Sequence, residues 1–201
     1  MANQQGGLSP EQWAEKLRII SQHLEHPASL CIIGSAVGMF SHQARISMDI
    51  DVWNKASTFF YSDLKQAVEK AGLLFDPKDE LEPDQPYIQI VQPGIVEVGS
   101  FRSTETILRE TGLTVVRPPI ENIIASKLVR AAKKDLEDIA YLRHYFGVSS
   151  EEVRAVIAEF PSGSIRDRAT ENAIYLDVLP QPPSQLPPPR NHEPDEPTRG
   201  M

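Results

Sequence analysis

Two aspartates, Asp49 and Asp51, stand two residues apart in Arg45-Ile46-Ser47-Met48-Asp49-Ile50-Asp51-Val52, a stretch that alternates apolar and polar side chains. That alternation predicts a strand over Ile46–Trp53. On a strand, residues i and i+2 share a face with Cα atoms roughly 6 to 7 Å apart, so the two carboxylates converge. Left without a partner they repel each other. A hard divalent cation such as Mg2+ resolves the repulsion, because it takes a few carboxylates together with phosphate oxygens. Upstream, Gly34-Ser35-Ala36-Val37-Gly38 offers backbone amides open to close approach, a hydroxyl donor and the start of a helix. Those are the groups that the phosphates of a metal-bound triphosphate require. The spacing is neither that of a Walker A loop, which ends in Lys-Ser/Thr, nor that of a dinucleotide-binding fingerprint. Asp49 and Asp51 are therefore candidate metal ligands, and Gly34 and Ser35 candidate phosphate binders.

A third carboxylate completes a two-metal site, and Glu97 in Gly94-Ile-Val-Glu-Val-Gly99 is the residue available. Between valines on a predicted strand, a charge facing the interior needs a cation partner; facing outward, it is an ordinary exposed glutamate. Arg45 and Ser47 share the strand parity of the aspartates, where either can touch phosphate or buttress a carboxylate. Five basic residues against one acid, Glu121, lie between Arg117 and Lys134, in a chain of net charge −8. If the helix predicted there runs on far enough, Lys127, Arg130 and Lys134 share one side of it and can neutralise phosphate oxygens. Asp135 and Asp138 read either as a helix-starting pair or as site residues that orient a lysine or accept a proton. Cys31 and His42 read as structural residues.

The elements that must position these groups follow from the pattern. Ser9-Pro10 with Gln12 opens an amphipathic helix to about Leu24, its stripe formed by Trp13, Leu17, Ile20 and Leu24. Ser29–Ile33 predicts a buried strand, Gly34–His42 a turn into a short helix, and Thr58–Leu73 a longer helix. Asp76–Pro86, with five acids and one lysine, predicts a solvated loop. Tyr87–Val91 and Ile95–Phe101, joined by Gln92-Pro93-Gly94, predict a hairpin, and Leu113–Val116 another strand. Helices follow over Ile120–Ala132, Asp135–Phe146, Ser150–Phe160 and Ser164–Leu179. The class expected is α/β (α+β), a small mixed sheet flanked by helices with a helical C-terminal part. The division expected is an α/β core over residues 1–117, a helical part packed on it over 118–179, and a disordered proline-rich tail over 180–201, which holds 8 of the 17 prolines.

Gly34-Ser35 on a turn, followed by Asp49-Ile-Asp51 on a strand, resembles the signature of the DNA polymerase beta-type nucleotidyltransferase superfamily. Within it, Pro119-Ile-Glu-Asn-Ile-Ile-Ala-Ser-Lys127-Leu-Val-Arg130 and Lys134-Asp135-Leu-Glu-Asp138-Ile139 are similar to the AbiEii-like bacterial toxin nucleotidyltransferases. The resemblance spans about Ile32 to Tyr141. It implies a nucleotidyltransferase fold in which Asp49 and Asp51 bind Mg2+, Gly34 and Ser35 hold the nucleotide phosphates, and Lys127 reaches the triphosphate. The reaction implied transfers a nucleoside monophosphate from an NTP to a hydroxyl acceptor, either an RNA or tRNA 3′ end or a protein. A toxin role opposed by a cognate antitoxin is implied with it. The alternative is a nucleotidyltransferase-like fold that binds without catalysing, as one half of a complex.

Composition narrows the classes further. At 201 residues and 40% hydrophobic, the chain can bury one ordinary core. The acidic balance gives no bulk attraction to phosphate backbones, so duplex DNA is not an expected partner. One cysteine permits no internal disulfide, and no Cys/His cluster has zinc spacing. With no apolar run approaching about 18 residues, neither a membrane span nor a signal peptide is expected, and a cytoplasmic location is.

Overall fold

The computed structural model describes residues 7–41, 46–77 and 85–180. The first helix, α1 (Pro10–His23), opens with the expected capping box: Gln12 N donates to Ser9 Oγ at 3.3 Å and Ser9 N donates to Gln12 Oε1 at 2.8 Å. There follow β1 (Ala28–Ile33), α2 (Ala36–Ser41), β2 (Asp49–Trp53), a 3-10 turn (Asn54–Ala56), α3 (Tyr61–Lys70), β3 (Leu74–Phe75) and β4 (Tyr87–Val91). The hairpin β5 (Glu105–Glu110) and β6 (Leu113–Arg117) completes the sheet. The helices α4 (Ile120–Leu128), α5 (Lys133–Phe146), α6 (Ser150–Ala158), α7 (Ser164–Asn172) and α8 (Tyr175–Val178) come last. The class is the mixed α/β arrangement expected, six strands in the order β3-β4-β2-β1-β6-β5 with helices toward the C-terminal end.

Strand directions decide where the site lies. β1 runs antiparallel to β2 and parallel to β6, while β2 runs parallel to β4 and β4 parallel to β3. Leu30, Ile32, Ile50, Val52, Ile88 and Ile90 are buried, as are Trp13, Leu17 and Ile20 of α1 and Leu64, Ala67 and Val68 of α3. Strand alternation puts Asp49, Asp51, Tyr87 and Gln89 on the opposite face from Ile50, Val52, Ile88 and Ile90. Burying each of those aliphatic side chains stabilises the fold by about 1.5–3 kcal/mol, which fixes the register and with it the face the carboxylates occupy.

Several expectations are corrected. The hairpin of 87–91 with 95–101 does not form, because β4 has β2 on one side and β3 on the other. The Pro93-Gly94 turn is present, with Ile95 N donating to Gln92 O at 3.2 Å, but only a single bridge, Pro93 to Val96, follows it. A different hairpin, β5–β6, was not expected. Asp76, assigned to a solvated loop, is buried at φ 47° and accepts bonds from Tyr61 Oη, Gln89 Nε2 and Ile90 N. The helix expected to Ala132 ends at Leu128, and Ala131 at φ 49° turns the chain into α5. The strand from Ile46 begins only at Asp49, and the helix over Ser164–Leu179 is split into α7 and α8. Arg45, His42, most of the acidic loop and the proline-rich segment 181–201 lie outside the described residues. Among the described residues no helix is long and apolar enough to cross a membrane.

Candidate metal and phosphate site

The site starts at the end of β1. Ile33 pairs with Asp51 across the antiparallel ladder, so the residue after Ile33 meets the Asp51 side chain directly. That residue is Gly34, at φ +75°, and a Cβ built on it would stand 2.4 Å from Asp51 Oδ2. Both its left-handed backbone and the space filled by the carboxylate require glycine. The next residue, Ser35, donates its Oγ hydrogen to Asp138 Oδ2 at 2.8 Å. With α2 only six residues long, the turn amides and this hydroxyl, rather than a long-helix dipole, are what the bend presents.

The two aspartates are held differently. Asp49 Oδ1 accepts from Ser47 Oγ at 3.0 Å and Asp49 Oδ2 from Tyr87 Oη at 3.3 Å, while Ser47 Oγ also reaches Asp49 O at 2.9 Å. Ser47 thus buttresses the carboxylate. Asp51 receives no hydrogen bond and forms no ion pair among the described residues. Burial, followed by the charge of Asp49, pushes its pKa up from 3.8 to about 7, against the opposing pull of Lys127, Lys134 and Arg130. The Tyr87 phenol is pushed up to about 12 by burial and by Asp49 and Asp51, so it stays protonated and keeps donating.

The third component is the corner between α4 and α5. Lys127 Nζ donates to Asp138 Oδ2 at 2.7 Å and lies 3.6 Å from Asp135 Oδ1, with the lysine side chain only 9% exposed. Arg130 grips Asp135 with Nε and Nη2 at 2.7 and 2.8 Å, and Ala132 N donates to the same carboxylate at 3.1 Å. Burial alone raises the Asp135 pKa, but the Arg130 hydrogen bond, the charges of Lys127 and Arg130 and the Ala132 amide together hold it low. Asp135 therefore both starts α5 and fixes Arg130. Asp138 joins the corner to the Gly34-Ser35 bend, accepting from Ser35 and Lys127 on a single oxygen. Tyr141, one turn further along α5, donates to Gly38 O at 3.4 Å and ties the same two segments.

Gly34, Ser35, Ser47, Asp49, Asp51, Lys127, Arg130 and Asp138 are thus linked through these contacts and charges. Among the described residues Glu97 does not gather with Asp49 and Asp51 into a group that one ion could touch. β4 runs parallel to β2, with Tyr87 beside Asp49 and Val91 beside Trp53, so the chain leaves β4 at the far end from Asp49. Glu97 lies on no strand; its Oε1 accepts Gly99 N at 2.8 Å, in a segment whose Val98 O and Ser100 O accept from Asn122 Nδ2 of α4 at 2.8 and 3.1 Å. Among the described residues no three His, Cys, Asp or Glu side chains gather where one ion could touch them. The residues of β4 that do border the aspartates are Tyr87 and Gln89, which sequence reading missed; the parallel register that places them was hidden by the hairpin signal.

The fold and site together define an α/β protein with a carboxylate pair beside a glycine-serine bend, closed by a buried lysine-aspartate pair. No family model, no curated protein and no solved structure matches the chain.

Proposed function

We propose that this protein is a Mg2+-dependent nucleotidyltransferase, moving a nucleoside monophosphate from an NTP to a hydroxyl acceptor. The observation that carries the reading is the convergence of Asp51, Ser35 and the Lys127–Asp138 pair on the bare Gly34 bend. The donor set fits the metal: two carboxylates on one strand face are hard oxygen donors of the kind Mg2+ takes in small number, and burial and mutual repulsion leave Asp51 in want of a cation. Asp49 and Asp51 would hold the ion, which when bound neutralises phosphate charge and polarises the reacting phosphoryl group.

The chain's own residues do the rest by positioning. The Gly34-Ser35 amides bind phosphate oxygens, Gly34 lets them come close, and the Ser35 hydroxyl exchanges its Asp138 partner for phosphate when nucleotide binds. Lys127 supplies a buried positive charge next to that bend, oriented by Asp138. In the transfer, the acceptor oxygen bonds to the α-phosphorus, the bond to pyrophosphate breaks, and the hydroxyl proton leaves to a carboxylate or to water. Arg130, exposed at the rim, is a further phosphate contact. The acceptor in this reading is an RNA or tRNA 3′ end or a protein hydroxyl. The biological role, on the resemblance of the motifs, is that of a toxin with a cognate antitoxin.

The test is incubation of the full chain with each labelled NTP, Mg2+ and total RNA. Label in RNA or in protein, lost in the Asp49→Ala, Asp51→Ala double variant, supports the reading. Retained transfer in that variant, when its fold is intact by circular dichroism, sinks it. The missing third carboxylate among the described residues favours one rival, a fold that binds nucleotide without catalysing. That rival gives nucleotide-dependent thermal protection and no label. Growth arrest on induced expression of the wild type, absent with Asp49→Ala, tests the toxin role.

A further inference from the structure

On the strand beside Asp51, the residue directly in register is Gln89. Parallel neighbours in register put their side chains on the same side of the sheet with Cβ atoms about 5 Å apart, so this is the nearest place from which β4 can offer Asp51 another ligand. Tyr87, two residues earlier, reaches Asp49 Oδ2 and confirms which way this face of β4 points. A carboxylate at 89 would complete the three-acid set that holds a pair of ions. The residue there is a neutral amide held toward the next strand: Gln89 Nε2 donates one hydrogen to Asp76 Oδ1 at 3.2 Å. Asp76 lies in the bend just after β3 and is itself buried, so Gln89 stands between the Asp51 and Asp76 carboxylates. An acid at that position would face a carboxylate on each side.

We infer that Gln89 limits the site to a single resident divalent ion, held by Asp49 and Asp51, and that it does so by presenting an amide where a second ion needs a charge. The inference rests on the proposed metal role of Asp49 and Asp51. It implies that an acceptor hydroxyl enters without a metal ion of its own, which separates this site from enzymes that clamp both the attacking and leaving oxygens with two metals.

The test is an electron paramagnetic resonance titration of the full chain with Mn2+ alone, which counts bound ions without reference to activity. The wild type should bind one Mn2+ with an isolated-ion spectrum. Gln89→Glu should bind two, and their separation of about 3.5–4 Å should give an exchange-coupled spectrum. In Gln89→Leu the single ion should remain, with affinity reduced by less than the about tenfold at which loss of a ligand's support shows. A coupled pair in the wild type overturns the inference. So does a folded Gln89→Glu protein that still binds one ion, or a Gln89→Leu protein that binds none, which would make Gln89 itself a ligand. If Gln89→Glu does not fold, the counts for the wild type and Gln89→Leu decide. A wild type that binds no Mn2+ overturns the Asp49/Asp51 reading beneath it, an outcome distinct from binding two.

Discussion

Replacing Asp51 with asparagine removes a charge while keeping the shape of the side chain, and the structure fixes the sign of the effect. In the folded protein this carboxyl titrates at about 7, raised first by burial and then by Asp49, whereas in the unfolded chain it returns to about 3.8. Between those values the folded state binds the proton that the unfolded state has lost. Stability therefore falls as pH rises through the window from about 4 to about 7. At about 1.4 kcal/mol per pH unit the full window amounts to about 4 kcal/mol, and the water that a half-buried carboxylate retains brings this to ~2–4 kcal/mol. Asp51→Asn does not titrate, so it should match the wild type at pH 4 and exceed it by ~2–4 kcal/mol at pH 8 without metal. Urea unfolding at both pH values in EDTA measures the gap, and millimolar Mg2+ should narrow it at pH 8 by stabilising the wild type only. Unfolding midpoints that differ by the same amount at both pH values would refute the electrostatic argument.

Three further outcomes follow from neighbouring groups. Lys127→Met leaves Asp138 and Asp135 buried without their shared cation, and should destabilise the protein by about 3–5 kcal/mol in urea, with part of the loss recovered when Asp138→Asn is added. Gly34→Ala forces a side chain into a left-handed backbone, at about 1–3 kcal/mol, and displaces Asp51 Oδ2; its melting temperature should drop and its Mg2+-induced melting shift should vanish. Tyr87→Phe removes the hydroxyl that holds Asp49 Oδ2, and should weaken Mn2+ affinity by about 10-fold or more while changing stability by about 1 kcal/mol or less.

The parts of the site that sequence made legible are those set by local chemistry. Gly34 was legible because a glycine ending an apolar strand marks a backbone that other residues avoid, and Asp49 and Asp51 because alternation alone puts them on one face. The parts that were not legible depend on which strand pairs with which. Pro93-Gly94 makes a genuine turn, yet a turn does not make a hairpin when the strand before it is flanked on both sides, and for that reason Glu97 stands on no strand of the sheet. β5 was hidden because Glu-Thr-Ile-Leu-Arg-Glu at a sheet edge has too little apolar alternation to announce a strand. The α4–α5 corner was hidden because Ala131 takes a positive φ without the glycine or asparagine that usually signals it. Lys127 and Arg130 therefore do not lie on one helix face with Lys134; each turns to its own aspartate instead.

That pairing determines where unbalanced charge remains. Among the described residues Lys127 is matched by Asp138 and Arg130 by Asp135, so these two cations are committed within the α4–α5 corner and, with Lys134, act on Asp51 only from a distance. Asp49 has neutral hydroxyl partners, Ser47 and Tyr87, which orient it without cancelling its charge. The surplus negative charge is thus concentrated on Asp49 and Asp51, and it adds to burial, the larger cause, in lifting Asp51 toward neutral pH. An arrangement built for stability alone would place Lys127 between the strand aspartates and leave α5 to cap itself. Here the lysine faces Asp138 and the strand pair is left to repel, which is the disposition of charge that a divalent cation stabilises and that a monovalent side chain would block.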